Sequence, residues 1–321
     1  MTRLGYQIPN FTYPGVAADS IFDNVVEQAK TAEASGFDRV LLMDHFYQLP
    51  GIGDPDDYML ECYTMLGALA QHTDTVRLSA LVTGNTYRNP AVLAKTVTAL
   101  DHVSHGRATL GIGSGWFELE HDAFGIPFNS FTERFEKLEE ALNIILPMLR
   151  NERPTLDGKH YQVTEAINSP APVSKIPVMI GGSGEKKTLR MVAQYADESN
   201  LTCTVDEIPR KLDALAAHCE ALGRDRSEIA VTKLVMMVIG HTMEEAEASM
   251  VTFVEDHGWP TEIAELMAPR MTVGGPDEIS AAIQELVDAG IDGVTLNLVA
   301  NAHDPELIAL AGETASAVLP S

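Results

Sequence analysis

Met43-Asp44-His45-Phe46 ends an apolar run and sets an acid beside an imidazole where a strand would stop. Histidine, with an ordinary pKa of roughly 6.5, can both give and take a proton near neutral pH. The neighbouring carboxylate can orient the ring or hydrogen-bond a polar ligand edge. The plain alternative is an ion pair that steadies a loop. His45 is the candidate catalytic residue, and Asp44 a candidate ligand contact.

Arg107 to Trp116 reads as a buried strand, Thr109-Leu110-Gly111-Ile112, that runs into Gly113, Ser114, Gly115 and Trp116. Glycine at alternate positions strips one face of a strand, so that a flat molecule can lie against the backbone. Trp116 would add an aromatic surface at the mouth. Tight packing between strands would also explain the glycines.

Two further strand ends carry small or polar groups. Leu78 to Pro90 passes from an apolar run into Thr83, Gly84 and Asn85, and Arg88 could bind an anion or tie the loop to a helix end. Ile180-Gly-Gly-Ser-Gly-Glu-Lys-Lys-Thr188 places Gly181, Gly182, Ser183 and Gly184 before a helix. Free backbone N–H groups there would cradle a phosphate, with Lys186, Lys187 and Arg190 adding charge. This is not GxxxxGK[ST]. Glu118, Glu120 and His121 look like a fragment of a metal site, but no HExxH or second nearby histidine completes one, so no metal is expected. No GxSxG elbow suggests a serine hydrolase.

The elements that must position these groups alternate regularly. Strands are predicted at 4–9, 39–44, 76–82, 107–112, 177–181, 198–203, 231–239 and 293–299. Helices are predicted at 18–36, 90–105, 130–150, 206–222 and 275–290, several ending at a glycine. Eight β-then-α units predict an α/β fold, a (β/α)8 TIM barrel spanning 1–321 as one domain, with its chemistry at the C-terminal strand ends. An open doubly wound sheet would want GxGxxG after strand one, where Pro9 to Pro14 stands. Residues 151–176 are expected to form an insertion with a small hairpin, and 241–274 a lid.

The bulk properties narrow the partners. Twenty-two basic and 46 acidic residues leave a formal charge of −24, which argues against nucleic-acid or anionic-membrane binding. Cys62, Cys203 and Cys219 are far apart, which suggests reduced thiols and a cytoplasmic location. The start of the chain reads as a strand, not a signal peptide, and no apolar run approaches the roughly 20 residues of a membrane span.

Taken in order, Asp44-His-Phe46, Thr83 to Pro90, Leu110 to His121 and Ile180 to Lys187 resemble the luciferase-like monooxygenase superfamily, particularly its F420-dependent oxidoreductases. The resemblance implies a barrel that binds coenzyme F420, a deazaflavin, and dimerises. It implies a ring seated on strand three over a non-prolyl cis bulge near Ala80-Leu81, with Asp44 on the cofactor and His45 as acid/base. Hydride transfer to or from deazaflavin C5 and an unidentified small-molecule substrate is the expected reaction. An FMN-dependent monooxygenase, a non-catalytic deazaflavin carrier or sensor, and an unrelated barrel lyase or hydrolase are the alternatives. Sugar-phosphate dehydrogenases of the superfamily carry a catalytic Glu after the glycine-rich strand. Trp116 is read at that position, which leaves His45 without a partner and a sugar-phosphate substrate disfavoured.

Overall fold

A computed structural model describes residues 4–259 and 270–319. Eight parallel strands close into a barrel: β1 (Leu4–Ile8), β2 (Arg39–Leu42), β3 (Arg77–Ala80), β4 (Ala108–Gly113), β5 (Val178–Gly181), β6 (Glu198–Leu201), β7 (Ala230–Ile239) and β8 (Gly293–Leu298). Closure is made where β1 pairs with both β2 and β8, with Tyr6 opposite Val40 on one side and Leu296 on the other. The architecture is the (β/α)8 barrel that the alternation predicts.

The helices around it are α1 (Ile21–Ala34), α2 (Cys62–Leu69), α3 (Pro90–Val103), α4 (Glu118–Phe124), α5 (Phe131–Leu149), α6 (Thr188–Tyr195), α7 (Ile208–Leu222), α8 (Met243–Asp256), α9 (Pro276–Asp288) and α10 (Pro305–Ser316). Their inner faces follow the helical period. Ile21, Val25, Ala29 and Ala32 are buried on α1, and Phe135, Leu138, Leu142 and Ile145 on α5. Local chemistry sets the starts. Asn89 accepts from the Ala91 N–H ahead of Pro90, and Ser130 with Glu133 forms a reciprocal cap on α5.

One end of the barrel is plugged. Arg39 on β2 reaches across to Glu198 on β6, with Nη2 2.7 Å from Oε2, and Thr232 donates to the same carboxylate at 2.8 Å. Buried charges of this kind persist only when paired. Any cavity must therefore open at the opposite end, where the strands finish.

The segment after α5 carries the expected hairpin, Leu156–Asp157 against Gln162–Val163. In 241–274, α8 is followed by a short strand, Met271–Gly274, beside β7. The remainder of the expected lid, 260–269, lies outside the described residues.

Candidate active site

β2 stops at Leu42, and the next helix begins only at Cys62, so Asp44 and His45 stand in open loop at the rim. His45 lines a cavity of about 670 Å³. Its Nδ1 lies 2.9 Å from Glu120 Oε1 on α4, and that carboxylate is fully buried. The same oxygen accepts the Phe46 N–H at 2.9 Å and the Tyr47 N–H at 3.4 Å, while the Tyr87 hydroxyl donates to Oε2. Burial pushes the Glu120 carboxyl up, but bonds from His45, Tyr87 and the Phe46 backbone outweigh it and hold the group below the usual range. An anionic acceptor at Nδ1 keeps the proton on that nitrogen and leaves Nε2 as the free one.

Asp44, 2% exposed, is bound bidentately by Arg88 at 2.6 and 2.9 Å, and Arg88 also reaches Glu61 at 2.6 Å. Burial raises the Asp44 carboxyl, and Arg88 brings it only part of the way back. Arg88 thus ties its loop to Asp44 and to Glu61, which caps the start of α2; the tie to a helix end is the second of the two roles its sequence allowed.

The adjoining wall, at the end of β3, is built by a bulge. Ser79 pairs with Thr109 and Thr83 with Ile112, so four steps on one strand answer three on the other. The cis peptide bond falls at Leu81–Val82, inside this bulge and one residue beyond the expected Ala80–Leu81. Val82 then fills the space that the glycines leave. A Cβ built on Gly113 or Gly181 would stand 3.0 Å from Val82 methyls. Gly111 has another reason: a side chain there would drive into the Ala80 carbonyl oxygen. One of the three alternating glycines therefore serves strand packing, and the bare face is partly occupied by Val82.

Among the sequence-predicted residues, the cavity is lined by Asp44, His45, Leu81 and Thr83 on one side. Gly113, Ser114, Gly115, Trp116, Gly181 and Gly182 line the other. Ala80 and Asn85 are buried behind the wall, and Ser183 and Gly184 lie off the cavity. Thr83 bonds Tyr63 at 2.6 Å. Trp116 is 60% exposed, stacks on Phe117 and meets the His45 ring edge to face at 5.7 Å. β4 ends at Gly113, so Ser114, not Trp116, is the first residue after the strand.

The glycine loop before α6 differs from its predicted form. The Gly182 N–H is donated to Asn200 O at 2.9 Å, and α6 begins at Thr188 after three turn residues. Arg190 pairs with Glu139, and Lys187 lies over the Phe131 and Phe135 rings. His121, read as half of a metal fragment, bonds Thr86 and the Phe117 carbonyl instead.

The expectation that His45 lacks a partner is overturned by Glu120. Its signal was present: Phe117, Glu120 and His121 share one buried helical face, and a carboxylate on such a face must have donors. Tyr87, Val82, Arg134 and Thr188 were also passed over. The first two depend on how the loops fold back, and the last two on the approach of α5 to α6.

The family model for luciferase-like monooxygenases matches residues 2–293. An F420-dependent glucose-6-phosphate dehydrogenase of Microbacterium testaceum is 30% identical over 266 residues, covering 79% of this chain and 74% of that protein. The enzyme of the same name from Kineococcus radiotolerans is 29% identical over 318 residues, covering 90% and 88%. In fold, the chain resembles an F420-dependent secondary alcohol dehydrogenase solved with an F420–acetone adduct, at a TM-score of 0.82 and 20% identity over 99% of both chains. With the match extending over nearly the whole barrel, the chain belongs to the luciferase-like monooxygenase family of oxidoreductases, in the branch of its F420-dependent relatives.

Proposed function

We infer that this protein is a coenzyme F420-dependent oxidoreductase in which His45 exchanges the proton that accompanies hydride transfer to or from a small organic substrate. The observation that carries this reading is the His45–Glu120 pair in the wall of the rim cavity, beside the bulge at the end of β3. The F420-dependent relatives support the choice of cofactor.

The residues present fit such a group. The cavity is of the size that holds ligands of roughly 300–1,000 Å³. Gly113, Gly115, Gly181 and Gly182 add no side chains of their own to a wall that Val82 partly covers. Asn297 Oδ1 is buried in the cavity wall with no hydrogen-bond partner among the described residues, while its Nδ2 is committed to Gln7. An unpaired acceptor there suits a ligand N–H. When bound, the deazaflavin supplies or receives the hydride at C5.

The chain's own groups do the rest. Glu120 holds His45 in one tautomer, so that Nε2 faces the cavity ready to exchange a proton. Arg88 holds Asp44 in place at the cavity rim, where it would meet a polar edge of the ring. Gln7 donates to the Leu81 carbonyl at 3.2 Å and so fixes the bulge against which the ring would rest. Trp116 and Phe117 pack edge to face against the His45 ring at 5.7 and 5.8 Å. The reading also carries a homodimer and a cytoplasmic location, and light scattering after size exclusion tests the first.

Titrating the purified protein with F420 and with FMN, followed by hydride exchange with a panel of alcohols, aldehydes and enones, tests the function. Tight F420 binding with turnover of a panel member is expected. Preference for FMN would replace the reading with the monooxygenase one, and binding without any exchange would favour a carrier or sensor.

A further inference from the structure

Thr86, Tyr87 and Arg88 are consecutive, and each holds a different group of the site. Thr86 Oγ1 lies 2.7 Å from His121 Nε2, the Tyr87 hydroxyl donates to Glu120 Oε2, and Arg88 binds Asp44. Asp44 is the neighbour of His45, and Glu120 is its partner. One short loop thus grips the histidine from both sides.

That loop is fixed at its base. Gly84 pairs with Gly113 on β4, the Asn85 N–H is donated to the Gly113 carbonyl at 3.0 Å, and the Tyr87 N–H returns to the Gly84 carbonyl at 3.1 Å. Gly84 also leaves room for the ring, since a Cβ there would stand 2.5 Å from it. Phe46 and His121 pack on the Tyr87 ring, each with centroids 4.9 Å away. The hydroxyl is therefore aimed by packing and not by its bond alone.

The two oxygens of Glu120 have divided duties. Oε1 takes His45 and the backbone N–H groups of Phe46 and Tyr47. Oε2 has the Tyr87 hydroxyl as its one donor among the described residues. The carboxylate is fully buried, so without Tyr87 a charged oxygen would be left with no partner. Burial and the carboxylate beside it push the Tyr87 phenol well up, so it stays a donor near neutral pH. The other charged groups that reach it, Asp44 and Arg88, neutralise one another.

We propose that Tyr87 is a positioning residue for His45: by occupying Oε2 it commits Oε1 to Nδ1–H, and so decides which imidazole nitrogen faces the cavity without a proton. The consequence for turnover rests on the reading above that His45 exchanges the proton. Tyr87 also lines the cavity, so the test separates positioning from direct ligand contact.

The experiment records 15N spectra of histidine-labelled wild type, Y87F, E120Q and the double variant at about pH 8, where the imidazole is neutral. Each is measured with and without F420, H45A assigns the signal, and F420 affinity is titrated alongside. Y87F keeps the ring and its packing. Wild type should show His45 protonated at Nδ1. Y87F should raise the share of the other tautomer about 3-fold or more, with F420 affinity within about 2-fold of wild type. Added to E120Q, it should change that share by less than about 2-fold, because the carboxylate it acts through is gone. With a substrate that turns over, kcat should fall about 3- to 10-fold in Y87F while KM stays within about 2-fold. The proposal is overturned if Y87F leaves the tautomer as in wild type, if its effect is as large in E120Q, or if F420 affinity falls about 10-fold, which would make Tyr87 a ligand contact. If wild type binds no F420, the cofactor reading fails, and the spectra of the cofactor-free protein still decide the role of Tyr87.

Discussion

Glu120 Oε1 lies 2.9 Å from His45 Nδ1 and accepts two backbone N–H groups from the residues that follow His45. One buried carboxylate thus fixes both the tautomer of the imidazole and the path of the chain that carries it. Orientation of the imidazole and loop geometry are the same contact, so the variants must separate them.

Glu120→Gln keeps an oxygen for the Phe46 N–H but brings an amide that can donate to Nδ1, which favours the opposite tautomer. Turnover should fall about 10-fold or more with F420 affinity nearly unchanged, and His45→Ala should lose about 100-fold. Steady-state kinetics beside a cofactor titration read both. A parallel loss of affinity would reduce the pair to a structural one.

Stability in acid should depend on the same group. The folded state holds Glu120 below the ordinary value of 4.5. Its contribution is therefore fully present above that value and is lost as pH falls through the lower folded pKa. Thermal unfolding followed from about pH 6 down to about pH 2.5 should show a steeper decline for wild type than for Glu120→Gln, with the difference opening only below about pH 4.5. Parallel curves would contradict this.

Arg88 neutralises a carboxylate that burial already strains. Arg88→Met leaves Asp44 buried and unpaired and should cost about 3–5 kcal/mol, whereas Asp44→Asn combined with Arg88→Met should recover much of that loss. Urea unfolding of both variants and the double variant decides it. Additive losses would mean that the two residues act independently.

The glycines of β4 should respond differently. Gly111→Ala meets the backbone oxygen of Ala80, which cannot move aside, and should destabilise by about 1–3 kcal/mol or more. Gly113→Ala meets Val82 methyls at 3.0 Å and should perturb ligand affinity more than stability. Equal loss of stability from both would show that Gly113, too, is there for strand packing.

Much of the barrel was legible because its signals are local. Eight apolar runs, the helical spacing of Val25, Ala29 and Ala32, and the glycine stops at Gly36, Gly106 and Gly223 each follow from a few neighbouring residues. Strand ends also identified where the chemistry should gather, and His45, Trp116 and Gly181 do line one cavity.

What those residues do to one another lay beyond any local pattern. Glu120 is 75 residues from His45, Arg88 is 44 from Asp44, and Arg134 is brought to the rim only by the turn between α4 and α5. A side chain's type says which bonds it can make. Which partner it meets is set by closure of the barrel and by the one-residue bulge that turns Val82 onto Gly113 and Gly181. The amino-acid order by itself therefore determined the elements, the end of the barrel that reacts and the family resemblance. Only the packed chain decided that Glu120 is the acid paired with His45, because burial makes a carboxylate find donors wherever the fold brings them.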